Sequence, residues 1–159
     1  MAAGSSASTQ SNAERELTIT RIFDAPRSLV FKAWIEPERQ ARWLGPKGFT
    51  TVLCEIDARP GGAFRFCMRS PEGTELWLHG MSREIIEPER LVLTTGEWVD
   101  AEGKPSHETL LTLTLADQGG KTKLTLRQSA FDSATTRDSN QGGWNSALDC
   151  LTEYLATAQ

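Results

Sequence analysis

The stretch NQGGWNSALDCLTEYL, residues 140–155, decides how this chain folds. Trp144, Ala147, Leu148, Leu151, Tyr154, Leu155 and Ala158 recur at helical spacing and form one apolar stripe. Asn145, Ser146, Asp149, Thr152 and Glu153 fall on the other side. The spacing predicts one helix over 141–158, about 27 Å long. Gly142 and Gly143 stand at its front, each about 1 kcal/mol worse than Ala in a helix interior. Two readings are open. Glycine lets the helix approach a sheet rim closely while Trp144 turns inward. Alternatively, Gly142 belongs to the preceding loop and only Gly143 enters the first turn.

A long one-faced helix needs an apolar surface to cover, and the residues before it supply one. ELTITRIF (16–23) alternates as a strand. DAPRSLVFKAW then changes period, with Leu29, Val30, Ala33 and Trp34 on one helical face. Pro37 ends that helix and opens a second, which Gly45 stops. Strands are expected at 49–57, 63–70, 75–86, 91–98, 108–116 and 121–129, joined by turns such as ARPGG, PEGT and DQGG.

Hairpin register follows from matching apolar faces. Pairing Ile56 with Phe64 and Cys54 with Phe66 joins two apolar sets and sets Glu55 opposite Arg65. It also points Cys67 away from Cys54, against a disulfide. Leu111, Leu113 and Leu115 face Leu124 and Leu126 in the same way. In the 75–86 strand the choice stays open: Leu76, Leu78 and Gly80 share one face, and Trp77, His79 and Met81 the other.

The chain has 159 residues and a net charge of −4. Its length suits one domain, and the absence of basic runs argues against nucleic acid. No apolar run is long enough to span a bilayer. Residues 1–14 are read as a disordered tail without the basic start and apolar centre of a signal peptide. Residues 15–159 are read as a single domain and the protein as cytoplasmic. His79 and His107 are isolated and the three cysteines show no ligand spacing, so no metal, cofactor or catalytic set is expected.

The strings DAPRSLVFKAWIEPERQARWLGP, EIDARPGGAFRFCM, PEGTELWLHGMSREIIEPERLVLT and GGWNSALDCLTEYL together resemble the Hsp90 ATPase activator homologue family, within the START and Bet v 1-like (SRPBCC) superfamily. The resemblance implies an α+β helix-grip fold: a curved seven-stranded antiparallel sheet gripping a long C-terminal helix, with two short helices after strand one. It also implies a cavity between sheet and helix. The candidate lining is Phe64, Phe66, Met68, Trp77, His79, Met81, Trp98, Leu111, Leu113, Leu126, Trp144, Leu148 and Leu151. Trp34 and Trp43 are expected to pack the short helices on the sheet edge. Glu84, Glu97 and Glu108, with Arg21 and Arg127 as partners, are the charged candidates for a pocket, against the plainer reading of solvated outer-face charges.

Superfamily members bind lipids, sterols and other hydrophobic molecules, some act as polyketide cyclases or aromatases, and the eukaryotic activator uses the domain to contact Hsp90. The leading expectation is therefore non-catalytic binding of a small hydrophobic or amphipathic molecule. A protein-interaction module, with a chaperone as partner, is one alternative. A cyclase-type enzyme using an acid or His79 is the other.

Overall fold

The computed structural model describes residues 15–45, 48–96 and 108–158. The expected tail and the positions of Glu97, Trp98 and His107 lie outside them. Seven strands form one antiparallel sheet: β1 (Leu17–Phe23), β2 (Thr50–Ile56), β3 (Ala63–Arg69), β4 (Glu75–Ile86), β5 (Arg90–Thr95), β6 (Thr109–Gln118) and β7 (Lys121–Ser129). The spatial order is β1-β7-β6-β5-β4-β3-β2, so β1 and β2 are the two edges. Between them in sequence come α1 (Arg27–Ile35) and α2 (Pro37–Gln40), and the chain ends in α3 (Ala134–Ala158). Among the described residues no helix is long and apolar enough to cross a membrane.

The registers follow the apolar pattern. Ile56 pairs with Phe64, Cys54 with Phe66 and Glu55 with Arg65, whose side chains form an ion pair at 2.6 Å on the outer face. Leu113 pairs with Leu126 and Leu115 with Leu124. Cys54 and Cys67 therefore lie on opposite faces, and none of the three cysteines is in a disulfide. Asp57 and Arg59 pair at 2.9 Å across the ARPGG turn.

Gly80 settles the β4 strand. It pairs with Phe64, and a Cβ at Gly80 would collide with the Phe64 ring and the Thr94 carbonyl. A strand glycine marks such a close approach. The face carrying Leu76, Leu78 and Gly80 thus continues the Phe64–Phe66–Met68 face of β3. Trp77, His79 and Met81 lie on the outer side.

The terminal helix differs from its expected extent. It has 25 residues and starts at Ala134, seven before Gln141. Ser133 begins it: its Oγ accepts from the Thr136 backbone N–H at 3.1 Å, as an N-cap does. The added turns, ATTRDSN, are almost wholly polar and carry no stripe for periodicity to detect. Gly142 and Gly143 consequently sit in the third turn, inside the helix. Apart from chain neighbours and the helix's own backbone, no atom of the described residues lies within 4 Å of where their Cβ would be, so neither the close-approach reading nor the loop reading holds.

The stripe itself packs as expected. Leu148 and Leu151 are fully buried and Ala147 and Leu155 nearly so, against a core that includes Leu17, Ile19, Leu124 and Leu126. Arg21 on β1 anchors the outer side of α3, donating to Asp149 Oδ1 at 2.7 Å and to the Asn145 carbonyl at 3.2 Å.

The short helices do not stop at a sheet edge. They carry the chain from β1 to β2, from one edge to the other, and so roof part of the inner face beside α3. Thr122 Oγ1 donates to the Ala25 carbonyl at 2.7 Å at one end, and Thr51 Oγ1 to the Ala41 carbonyl at 2.8 Å at the other. Trp34 and Trp43 are both buried, with ring centroids 4.6 Å apart. Trp34 also lies 5.7 Å from Trp144 of α3. Both rings lie in the core beneath the roof, while α2 itself meets the edge strand β2.

Candidate functional site

Between this roof and the sheet the packing is incomplete. An outer chamber of about 100 Å³ opens beside α3, bounded by Met68, Leu78, Thr95 and Gln128 from the sheet and by Ser139, Asn140, Gly143, Trp144 and Ala147 from the helix. An inner chamber of about 40 Å³ adjoins it under α1 and α2, bounded by Trp34, Ile35, Gln40, Phe64, Ser82, Leu93 and Leu111. Leu44, Leu78, Thr95 and Trp144 border both, so Trp144 stands at the division. Among the described residues no ionisable side chain borders either chamber.

Trp144 is held in place by a chain of hydrogen bonds. Its Nε1 donates to Gln128 Oε1 at 2.8 Å, and Gln128 Nε2 donates to Thr109 Oγ1 at 2.8 Å. Thr109 Oγ1 donates in turn to the Thr95 carbonyl at 3.2 Å. Gln128, Thr109 and Thr95 are all buried. Such a chain fixes side-chain positions because each member left unpaired in a low-dielectric interior is costly. Gln40 is likewise committed: its Nε2 donates to the Trp34 carbonyl at 3.2 Å and its Oε1 accepts from Cys54 Sγ at 3.5 Å. Burial, with a smaller contribution from Glu38, pushes the Cys54 thiol up to about 11.

Trp34 is the exception on this wall. Its Nε1 is buried and has no acceptor, whereas the neighbouring Trp43 Nε1 donates to the Ala33 carbonyl at 2.9 Å. A buried donor without a partner costs about 1–3 kcal/mol.

Of the sequence candidates, the structure brings Phe64, Met68, Leu111 and Trp144 to the chambers. Phe66, Leu113, Leu126, Leu148 and Leu151 lie in solid core. Trp77, His79 and Met81 belong to the outer face, where the Trp77 and His79 rings lie 6.2 Å apart, because Gly80 and Phe64 fix the opposite face as inner. Trp98 lies outside the described residues. The charged candidates sit elsewhere: Glu84 pairs with Arg90 at 3.2 Å, Arg127 with Glu16 at 2.9 Å and Arg21 with Asp149, and Glu108 is exposed.

Sequence reasoning missed Trp34, Leu78, Thr95 and Gln128. Two signals were available. Gly80 inside a strand pattern identifies the covered face and hence Leu78. Gln128 continues the Leu124–Leu126 face, and a polar residue on an apolar face requires a partner.

A separate cleft lined by Glu36, Glu38, Arg39, Arg42 and Tyr154 opens between α2 and the end of α3. It is open to solvent. Arg39 donates to Glu36 at 2.7 Å and to Tyr154 Oη at 3.1 Å, bonds that raise its already high pKa.

Comparison with known proteins agrees with this architecture. The family model described as "Activator of Hsp90 ATPase homolog 1-like protein" matches residues 24–156. A crystal structure of a Chromobacterium violaceum protein is similar at 27% identity, covering 89% of this chain and 96% of that one, with a TM-score of 0.79. One from Nitrosomonas europaea is similar at 25% identity over 92% and 97%, with a TM-score of 0.78. The AHSA1 protein from Silicibacter pomeroyi, at 20% identity over 91% and 99%, shares the fold with a TM-score of 0.82. No curated protein matches the chain.

Proposed function

The chain belongs to the Activator of Hsp90 ATPase homolog 1-like family, and from that premise we propose that it is a non-catalytic binder of a small, largely apolar, uncharged molecule held between the sheet and α3. The observation that carries this reading is the outer chamber of about 100 Å³, with the inner one of about 40 Å³ beside it, between the sheet and the helices. Protein cores pack at crystal density. A chamber left open beside α3 and walled by a tryptophan that a hydrogen bond holds in place fits a site kept for an occupant.

The lining favours a neutral molecule. An ionised headgroup would have to give up its hydration, and no opposite charge among the described lining residues would compensate it. The volume narrows the expected class. A dry cavity of about 150 Å³ takes a benzene-sized molecule, so this interior suits a single ring or a short chain better than a sterol.

The cyclase-type alternative requires an acid and a base meeting in the cavity. His79 and Glu84 lie on the outer side of the sheet and no other such pair is described there. The chaperone-contact alternative draws on the family description. Exposed large apolar residues Ile22, Val52, Met81, Ile86 and Leu110 are distributed over β1, β2, β4 and β6, and single exposed apolar residues are ordinary.

Native mass spectrometry of freshly purified protein, followed by amide NMR titration with monocyclic probes, tests the reading. A co-purified small molecule, or probe-induced shifts confined to α3 around Trp144 and the strands beneath it, is the expected result. No shift there at millimolar probe would overturn it.

A further inference from the structure

We infer that Ser82 is the polar contact of the inner chamber. The bound class is then an elongated neutral molecule: an apolar ring or chain in the outer chamber, bearing on a short arm one hydroxyl or carbonyl group that hydrogen-bonds Ser82 Oγ. The inference rests on the binding function proposed above and specifies what is bound.

Ser82 continues the Leu78–Gly80 face of β4 and borders the inner chamber. Its side chain is buried, at 2% exposure, on a wall otherwise made largely of Phe64, Leu91, Leu93 and Leu111. Its backbone is committed to the ARPGG turn: the N–H donates to the Gly62 carbonyl at 2.8 Å, and the carbonyl accepts from the Gly61 N–H at 2.7 Å. Its hydroxyl makes no hydrogen bond with the described residues, yet it is not sealed off as Trp34 Nε1 is. The other polar side chains of this wall are in use. Gln40 uses its amide nitrogen on the Trp34 carbonyl and its amide oxygen on Cys54, and Thr95 Oγ1 donates to the Gly96 carbonyl at 3.1 Å. Ser82 Oγ is therefore the group this wall still offers to an occupant.

A serine hydroxyl both donates and accepts, so its complement is a hydroxyl or a carbonyl. A carboxylate or phosphate would give up its hydration for one hydroxyl, beside no cation among the described lining residues. Position sets the length of the molecule. Gly80 pairs with Thr95, which borders both chambers, and Ser82 lies two residues further along β4. At about 3.4 Å per residue, Ser82 stands about 7 Å beyond the division between the chambers. The inner chamber, at about 40 Å³, suits an arm and one polar group, and the outer one, at about 100 Å³, suits the ring or chain that bears them. A ring in the outer chamber reaches Ser82 only through an arm of several atoms.

The test titrates the full chain and its Ser82→Ala variant, by NMR, with four probes of similar size: hydrocinnamyl alcohol, benzylacetone, butylbenzene and hydrocinnamate. Ser82→Ala should weaken the alcohol, the ketone or both by about fivefold, the worth of one neutral hydrogen bond. It should leave butylbenzene unchanged. Loss confined to the alcohol assigns the bound group as a hydroxyl, and loss confined to the ketone assigns it as a carbonyl. Hydrocinnamate should bind least. If the variant does not fold, intermolecular NOEs in the unmodified protein decide: protons next to the probe's oxygen should meet Ser82 Hβ while its ring protons meet Ala147. Unchanged affinity of both alcohol and ketone in Ser82→Ala, as for a hydroxyl that water satisfies, would overturn this inference and leave the binding function standing. Hydrocinnamate binding as tightly as the alcohol would also overturn it. Absence of binding by any probe would overturn the binding function itself.

Discussion

Trp144 of the terminal helix donates its indole N–H to Gln128 of β7 at 2.8 Å, fixing the cavity wall to the sheet. The stripe of α3 supplies adhesion, since Ala147, Leu148, Leu151 and Leu155 bury against the strands. Apolar adhesion is non-directional, whereas the Trp144–Gln128 bond sets where the ring stands. The buried Gln128 and Thr109 carry that constraint to β5 through the Thr95 carbonyl. The two effects together hold an aromatic wall beside a space that collapse would otherwise fill.

Gln128→Leu should therefore cost about 1–3 kcal/mol, because it strands the Trp144 N–H and removes the donor to the Thr109 hydroxyl, which keeps its own bond to the Thr95 carbonyl. Trp144→Phe should carry a similar polar cost, because it leaves the buried Gln128 Oε1 without its donor. A double-mutant cycle by urea unfolding should return a coupling energy of about 0.5–1.5 kcal/mol. A coupling of zero would show that the bond does not constrain the wall in solution.

Leu151→Ala should destabilise by roughly 2–5 kcal/mol, the range for emptying a buried leucine site. Leu151 has no exposed surface. An unchanged unfolding midpoint would contradict the packing of α3 on the sheet.

These two predictions differ in how legible they were. Leu151 could be read from sequence because a helical stripe and alternating strands impose strict periods, and the two hairpin registers followed from matching them. The Trp144–Gln128 bond could not. It joins residues on different elements, and no period relates them. The same limit applied to Trp34, whose burial depends on α1 and α2 carrying the chain over the sheet from one edge to the other. The early start of α3 was hidden for another reason: it rests on the Ser133 cap and helix propagation, with no apolar stripe to signal it.

Cys54 gives a prediction in pH. Its thiol is pushed up to about 11, from 9.0, mainly by burial. The folded state therefore holds the proton more tightly than the unfolded chain. The resulting stability is fully present below about pH 9 and is lost as pH rises towards 11. Comparison with Cys54→Ala isolates this contribution from other groups titrating in that window. The variant should lose less stability between pH 9 and 11, and at pH 8 the native Cys54 thiol should react with a disulfide reagent far more slowly than in denaturant. Equal rates in the two states would contradict the burial argument.

The paired glycines of α3 give the last prediction. Gly142 and Gly143 stand in the third turn of a regular helix, with open space where each Cβ would lie. Neither has the positive φ that would require glycine. Alanine should therefore raise helix stability at either position by about 1 kcal/mol, so the folded state alone does not explain their presence. The two positions differ in what they face. Gly143 borders the outer chamber together with Asn140, Trp144 and Ala147, and Gly142 does not. A methyl group at 143 would occupy space on the chamber wall, while one at 142 would meet solvent. Gly142→Ala should gain stability and leave probe binding unchanged. Gly143→Ala should gain similar stability and weaken or slow the binding of a monocyclic probe. Thermal unfolding and NMR titration of both variants measure the two effects separately. If both gain stability and both bind the probe as the parent does, the glycine at 143 is not keeping the chamber open. If neither gains stability, the helix is not continuous through this turn in solution.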